Sequence, residues 1–168
     1  MTKRTIFIFI FISTLWMVNG CSNKEITDPF WGINLDWKKD KIVNELSEWS
    51  KSGEITNCVF SFEKTTYLKD TSFDARVTCS LNNPQFDKNI LKKLSYSLSV
   101  NFKNESIAEF NTDFYEYFKK IMKGTYGNSF QESNNDDEIE LKWNVNYNKQ
   151  VNVNILKSLN HYSVVIQV

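Results

Sequence analysis

The sequence contains few of the residues that most often form catalytic, metal-binding or phosphate-binding sites. His161 is its only histidine, and the chain has five glycines, two prolines and three cysteines. It contains no glycine-rich phosphate loop and no dinucleotide-binding fingerprint. Basic and acidic residues are equal in number, 20 of each, so no positive excess favours a nucleic-acid partner. We therefore expect no cofactor and no nucleic-acid partner.

The few groups that could carry chemistry lack the motifs that would accompany them. A hydrolase triad would place His161 beside a nucleophile and an orienting acid, but the chain has no Gly-x-Ser-x-Gly motif. The densest acidic run, Asp136-Asp137-Glu138 with Glu140, lacks the spacing and the glycine of an EF-hand calcium loop. We interpret His161 as a turn or strand-edge residue and the acidic run as a solvated loop. A glycosidase-type pair of carboxylates stays an open alternative.

Residues 1–20 have the three parts of an export signal. Lys3 and Arg4 form a positive start, and residues 5–18 form an apolar run of about 14 residues, too short for a comfortable membrane span. Val18-Asn19-Gly20-Cys21 follows and resembles the lipidation site of bacterial lipoproteins, although a small residue is usual where Asn19 stands. The resemblance implies removal of residues 1–20 and acylation of Cys21. A soluble secretory signal and an uncleaved anchor helix are the alternatives.

The resemblance also implies a place in the cell. Two or more acyl chains hold a protein stably in a bilayer, so acylated Cys21 would anchor the chain permanently in the membrane. Ser22 stands where an aspartate resembles the inner-membrane retention signal of diderm bacteria. We therefore expect the periplasmic leaflet of the outer membrane, or the outer face of the cell membrane if the source is a monoderm.

Removal of residues 1–20 from the 168-residue chain leaves 148 residues, which suit one domain with a real core. Because Lys3 and Arg4 are lost, the formal net charge of the mature chain moves from zero to −2. We interpret residues 21–29 as a lipidated tether and residues 30–168 as a single domain.

If Cys21 is lipidated, Cys58 and Cys79 are the two cysteines that can still form a disulfide. Two cysteines in an exported chain are most simply a disulfide. Residues 55–62 and 73–81 have strand patterns joined by a loop near 65–72, and such a hairpin would place the two cysteines nearly opposite each other. The bond would stabilise the fold by roughly 3 kcal/mol in the chain-entropy model. A redox or metal role is the alternative.

Hydrophobic periodicity predicts an α+β fold. Asp36 is the expected N-cap of a first helix that ends at 50–53, and Asn111 or Thr112 caps a second helix at 112–123. Alternating patterns predict strands at 55–62, 73–81, 94–102, 106–110, 139–147, 150–156 and 161–168. The expected architecture is a mainly antiparallel sheet of about six to seven strands with both helices on its apolar face, in the order α-β(4)-α-β(3).

One short segment carries a second resemblance. Trp31-Gly32-Ile33-Asn34-Leu35 precedes the first helix and then a meander of strands. This arrangement resembles small bacterial envelope lipoproteins of the outer-membrane assembly and lactamase-inhibitor-like class, over about a third of the mature chain. The resemblance implies an α+β binding module.

Aromatic residues are the one compositional excess, at 15% of the chain. We expect most tryptophans of the mature chain to lie in the core, whereas Phe30 and Trp31, next to the tether, are candidates for contact with a partner or with lipid headgroups. The sequence thus predicts a non-enzymatic protein-binding lipoprotein of assembly-accessory, inhibitor or immunity type, with an envelope protein as its partner. An envelope hydrolase and a structural envelope lipoprotein are the alternatives.

Overall fold

A computed structural model describes residues 25–59, 61–70, 72–103, 110–146 and 148–168. The predicted export signal and Cys21 lie outside the described residues, as does most of the strand predicted at 106–110.

Two α-helices, one short 3-10 helix (Lys157–Leu159) and nine strands are present in the described part of the chain. The helices are α1 (Lys39–Ser52) and α2 (Thr112–Tyr126). The first group of strands is β1 (Thr56–Asn57), β2 (Ser61–Lys69), β3 (Asp74–Asn82), β4 (Gln85–Asp87) and β5 (Ile90–Phe102). The second group is β6 (Gln131–Asn134), β7 (Glu138–Asn146), β8 (Lys149–Leu156) and β9 (His161–Gln167).

All nine strands join one antiparallel sheet in the order β1-β2-β3-β5-β9-β8-β7-β6, with β4 paired to β5. Each helix precedes one group of strands, and each group winds inward from its own edge of the sheet. The two groups meet at the central β5–β9 pair. The α+β class is confirmed, but the strand count is higher than the predicted six to seven.

The two faces of the sheet differ sharply in polarity. One cross-strand row on the outer face consists of polar side chains from eight strands: Thr56, Glu63, Ser80, Ser97, Ser163, Asn154, Glu140 and Ser133. In the central strands β3, β5, β9, β8 and β7, alternate residues point to the inner face and most are buried, as Leu98, Val153 and Tyr162 are. Antiparallel sheets tolerate water on one face because their connections need not cover it.

The inner face of the sheet and both helices build the core. Phe114 and Phe118 of α2 pack on Tyr162 with ring centroids 5.4 and 4.8 Å apart, while α1 contributes Ile42 and Leu46. Trp143 is fully buried, and its indole N–H donates to the carbonyl of Gly127 at 2.9 Å. Trp143 is therefore a core residue.

The helix ends follow local chemistry only in part. Asn111 caps α2, because its side chain accepts from the backbone N–H of Phe114 at 2.8 Å, and Gly127 ends that helix with φ of 101°. Asp36 does not cap α1. The helix begins at Lys39 after Lys38, which makes no side-chain capping bond, and Asp36 instead accepts from Lys149.

Four strands were not predicted at their true positions. The predicted strand at 55–62 is split between β1 and β2, and the predicted loop at 65–72 is mostly the second half of β2. Strand β6, whose residues are all exposed, lies just before the acidic run and was not predicted. These strands, and the three-residue β4, lie at edges or bends, where few side chains are buried and the alternation that marks a strand is weak.

Candidate functional site: the groove between the helices

A buried carboxylate holds the first described segment against the domain. Asp28 is 1% exposed and accepts four hydrogen bonds. The backbone N–H groups of Phe30 and Trp31 donate at 3.0 and 2.7 Å, and the hydroxyls of Tyr96 and Tyr126 donate at 2.7 and 3.0 Å. Burial raises the pKa of Asp28, and these hydrogen bonds oppose the rise. Residues 28–31 are therefore fixed to both β5 and α2.

The same segment forms one wall of a groove of about 650 Å³. We use the name "groove" for this cavity, whose floor is the inner face of β2 and whose other walls are α2 and the C-terminal end of α1. Its principal lining side chains are Phe30, Trp31, Trp49, Glu54, Ile55, Lys64, Thr66, Leu68, Tyr117 and Ile121. An apolar cavity of this size with few polar groups has the usual character of a binding site.

Lys64 is the one lysine or arginine among the described residues that line the groove. Its ammonium donates to the carbonyl of Phe30 and lies 4.7 Å from the centre of the Trp31 ring. Burial lowers the pKa of Lys64, while electrostatic interactions with the carboxyl groups of Asp28 and Glu54 and with the Cys79 sulfur oppose that shift. Among the described residues no carboxylate oxygen lies within 4.0 Å of the ammonium. Such a half-buried charge favours an anionic group of a ligand.

A second groove of about 500 Å³ lies between α1 and the opposite end of the same face. Val43, Phe62, Pro84 and Phe86 line it, and its two lysines, Lys39 and Lys51, are on exposed helix positions. It has no half-buried charge that would orient a ligand. We therefore assign the candidate site to the groove that contains Lys64.

Phe30 and Trp31, the predicted contact residues, line the groove and do not project from the surface. Trp31 is 2% exposed, and half-buried Phe30 stacks on Phe118 at 5.5 Å. Trp49, which we expected in the core, also lines the groove and is half-buried. The sequence thus pointed to Phe30 and Trp31 together, but it did not place Trp49 beside them.

The predicted Cys58–Cys79 disulfide is not formed, and both residues are free thiols. The hairpin register on which the prediction relied was wrong. Lys64, not Cys58, lies opposite Cys79, because β2 runs from Ser61 to Lys69. Cys58 lies before β2, in the turn where its N–H donates to the carbonyl of Ser61 at 2.8 Å. Strand β2 therefore separates the two cysteines.

We expect the two thiols to react with a maleimide at very different rates. Cys58 is half-buried and should be labelled in the native protein, whereas Cys79 is 1% exposed. Burial also raises the pKa of Cys79 to about 11, so little reactive thiolate forms at neutral pH. Intact-mass measurement of Cys58→Ala and Cys79→Ala variants assigns each label. A wild-type protein that takes no label even when unfolded without reductant would contradict the free-thiol structure.

His161 is the first residue of β9 and is half-buried on the outer face, in agreement with a strand-edge histidine. Its Nδ1 lies 3.2 Å from the Ser99 hydroxyl oxygen. Within the described part of the chain, no carboxylate oxygen is within 4.0 Å of its ring nitrogens. The pair therefore lacks the orienting acid of a triad and lies on an open sheet face.

The acidic run occupies the turn between β6 and β7 and the start of β7. The Asn135 side chain accepts from the N–H groups of Asp137 and Glu138 at 3.0 and 2.8 Å, and Asn154 donates to the carboxylate of Glu138. Asp136, Asp137 and Glu140 are exposed. The described residues contain no group of acids, cysteines and histidine suited to holding a metal ion.

Sequence reasoning did not identify Lys64 and Asp28. Lys64 lies in a run of polar residues, Glu63-Lys64-Thr65-Thr66, that has no apolar alternation to reveal an inward-facing position. Asp28 precedes a proline in the segment predicted to be a tether. Asp28-Pro29 is itself a turn signal, and it could have suggested that this carboxylate binds nearby backbone N–H groups.

No protein-family model matches the chain, no curated protein matches its sequence, and no solved structure matches its fold. None of the described helices has the length and apolar character needed to cross a membrane.

Proposed function

We propose that the protein is a lipid-anchored, non-enzymatic binding module that holds an envelope protein in the groove. The anchor is acylated Cys21, and Ser22 favours the periplasmic leaflet of the outer membrane. The observation that carries the proposal is the groove itself, in which aromatic walls surround a half-buried lysine whose ammonium has no carboxylate oxygen of the described residues within 4.0 Å. Aromatic side chains are enriched where proteins bind one another.

The volume of the groove, about 650 Å³, supports binding of a partner segment in preference to contact between two flat surfaces. Trp49 and Leu68 on its rim are half-buried, so a partner side chain that enters can bury further apolar area against them. The outer face of the sheet is less suitable, because its central rows consist mainly of serine, threonine and asparagine, and serine is depleted at interfaces.

Site-specific photo-crosslinking in intact cells tests this proposal. A photoreactive residue at Thr66, which is exposed and lines the groove, should form a discrete covalent adduct with a partner protein. The same residue at Lys142, exposed on the outer face of β7, is the control and should form none. Substitution of Trp49 with alanine should weaken the Thr66 adduct.

Adducts at Lys142 alone, or none at Thr66 while the purified protein turns over an envelope substrate, would overturn the binding proposal. In the second case the Ser99–His161 contact becomes the first place to examine for hydrolysis. Adducts at Thr66 that the Trp49 change does not affect would also contradict it, because Trp49 lines the same cavity.

A further inference from the structure

The floor of the groove ends at an incompletely paired sheet edge. Strand β1 covers β2 only at Phe62 and Glu63, whereas β2 continues to Lys69. Among the described residues, no strand pairs with the free edge of β2, the edge opposite β3, beyond Glu63. The rest of β2 thus exposes a short edge beside the groove.

The hydrogen-bond pattern shows which backbone groups face this edge. The N–H of Asp70 donates to the carbonyl of Phe73, so the pair next to the β2–β3 turn is a hydrogen-bonded one. Such pairs alternate along an antiparallel ladder, and they therefore fall at Leu68, Thr66 and Lys64 of β2. The backbone groups of the intervening residues, Thr65 and Tyr67, must point away from β3 and toward the open edge.

The opposite side of the strand gives the same assignment independently. Cys58 donates to the carbonyl of Ser61, so Ser61 faces β1, and alternation then directs Glu63, Thr65 and Tyr67 the same way. The side chains of Lys64 and Leu68 point meanwhile to the inner face, where they line the groove. Backbone hydrogen-bonding groups and side-chain pockets thus lie next to each other.

We propose that the β2 edge and the groove together bind an extended peptide segment of the partner protein, which adds to the sheet as a strand at Thr65–Lys69. This inference rests on the proposed function and specifies the partner. Strand addition supplies affinity through backbone hydrogen bonds and selectivity through alternate side chains. The segment is about five residues long, because β1 already pairs with β2 as far as Glu63 and β2 ends at Lys69.

The groove also selects the side chains of this peptide. Residues on its inward face meet Leu68, Trp31, Tyr117 and Ile121, so they should be apolar. One inward position near Lys64 should be aspartate or glutamate, because the ammonium has no carboxylate within 4.0 Å in the described structure. The alternate side chains of the peptide lie on the outer face of the sheet and can be polar.

A proline substitution at the edge tests the inference. Linear peptides of ten residues are selected from a random library on the purified, detergent-solubilised mature protein, and their affinities are measured by fluorescence anisotropy. Tyr67 is 73% exposed, so neither Tyr67→Pro nor Tyr67→Ala should disturb the core. Tyr67→Pro removes the outward N–H and should weaken binding about tenfold, while Tyr67→Ala keeps that N–H and the affinity.

Two further pairs of variants extend the test. Thr65→Pro and Thr65→Ala repeat the comparison at the neighbouring outward position. Lys64→Met should weaken peptides that carry an acid about tenfold, whereas Lys69→Met, at an exposed position, should not. Selected peptides should alternate apolar residues and include an acid, and their binding should slow amide hydrogen exchange at Thr65 and Tyr67.

Several results would overturn strand addition while leaving the proposed function intact. They are equal affinities for the proline and alanine variants, selection of peptides without alternation, or a photo-adduct at Thr66 in cells that Tyr67→Pro does not reduce. If a fluorescent fatty acid binds in the groove and no peptide is selected, the groove binds lipid, and protein binding in the groove is overturned as well. A dimer abolished by Tyr67→Pro would assign the edge to a second copy of the chain.

Discussion

Replacing Asp28 with alanine is expected to lower the free energy of unfolding by about 4 kcal/mol. The substitution leaves two buried backbone N–H groups and the hydroxyls of Tyr96 and Tyr126 without their acceptor. Each buried donor that loses its partner costs about 1–3 kcal/mol, and partial relaxation keeps the total below the sum. Urea unfolding followed by tryptophan fluorescence measures the change.

The control is Asp36→Ala. Asp36 is likewise a hydrogen-bond acceptor, here from Lys149, but its side chain is 55% exposed. Loss of this carboxylate should therefore lower the free energy of unfolding by under about 1 kcal/mol. If the two substitutions have equal effects, Asp28 does not fix the N-terminal segment as the structure indicates.

The pH dependence of stability should identify the carboxyl group. Because the pKa of Asp28 is raised on folding above 3.8, the native state binds its proton more tightly than the unfolded state. This contribution is fully present below 3.8 and is lost as the pH rises through the folded pKa. Relative to Asp28→Asn, wild-type stability should therefore fall with rising pH, and an NMR titration of the Asp28 carboxyl carbon should give a pKa above 3.8.

Glu132 should show the opposite sign, which makes it an internal comparison. Burial alone would raise its pKa, but hydrogen bonds from Lys119 and Tyr115 outweigh burial and lower it from 4.5. The stability that Glu132 contributes is therefore present above 4.5 and is lost as the pH falls through the lower folded pKa.

The central strands were predictable from the sequence because burial on one face imposes a strict alternation. In β5 the buried residues Leu94, Tyr96 and Leu98 alternate with serines, and this pattern alone locates the strand. The second half of β2 has no such pattern, since Thr65, Thr66 and Tyr67 are all exposed. Its extended conformation comes from pairing with β3, which no local pattern of residues records.

The candidate site could be predicted only in part for the same reason. Phe30 and Trp31 stand out as adjacent aromatic residues, but Lys64, which donates to the carbonyl of Phe30, lies 34 positions further along the chain. Asp28 connects to Tyr96 and Tyr126 over separations of 68 and 98 residues. Composition and periodicity describe neighbours along the chain, so a site built from such distant residues appears only when the sheet register is known.

The structured domain begins earlier than the predicted boundary at Phe30. Leu35 donates to the carbonyl of Ile26, Thr27 pairs with Asn34, and Asp28 is buried. Five peptide units connect Cys21 with Ile26, and a chain of that length spans at most about 18 Å. If Cys21 is acylated, the domain and its groove are held close to the membrane surface.

Replacing Cys21 with alanine is expected to abolish acylation and stable membrane attachment completely. Each acyl carbon buried in the bilayer contributes about 0.8 kcal/mol to the free energy of membrane binding, so loss of two or more acyl chains removes nearly all of that free energy. Intact mass spectrometry should find wild-type protein that begins at residue 21 and carries acyl mass, and no acylated product of Cys21→Ala. Cys58→Ala, the control, should be acylated like wild type.

The same measurement separates the three interpretations of residues 1–21. An unmodified wild-type chain that begins near residue 21 and stays soluble would indicate an ordinary secretory signal. An intact wild-type chain of 168 residues in the membrane would indicate an uncleaved anchor. Either result would remove the acyl anchor from the proposed function, but neither would alter the groove or the β2 edge, because the residues that form both begin at Pro29, after the cleavage site. The membrane attachment of the protein and its mode of partner binding are therefore tested independently.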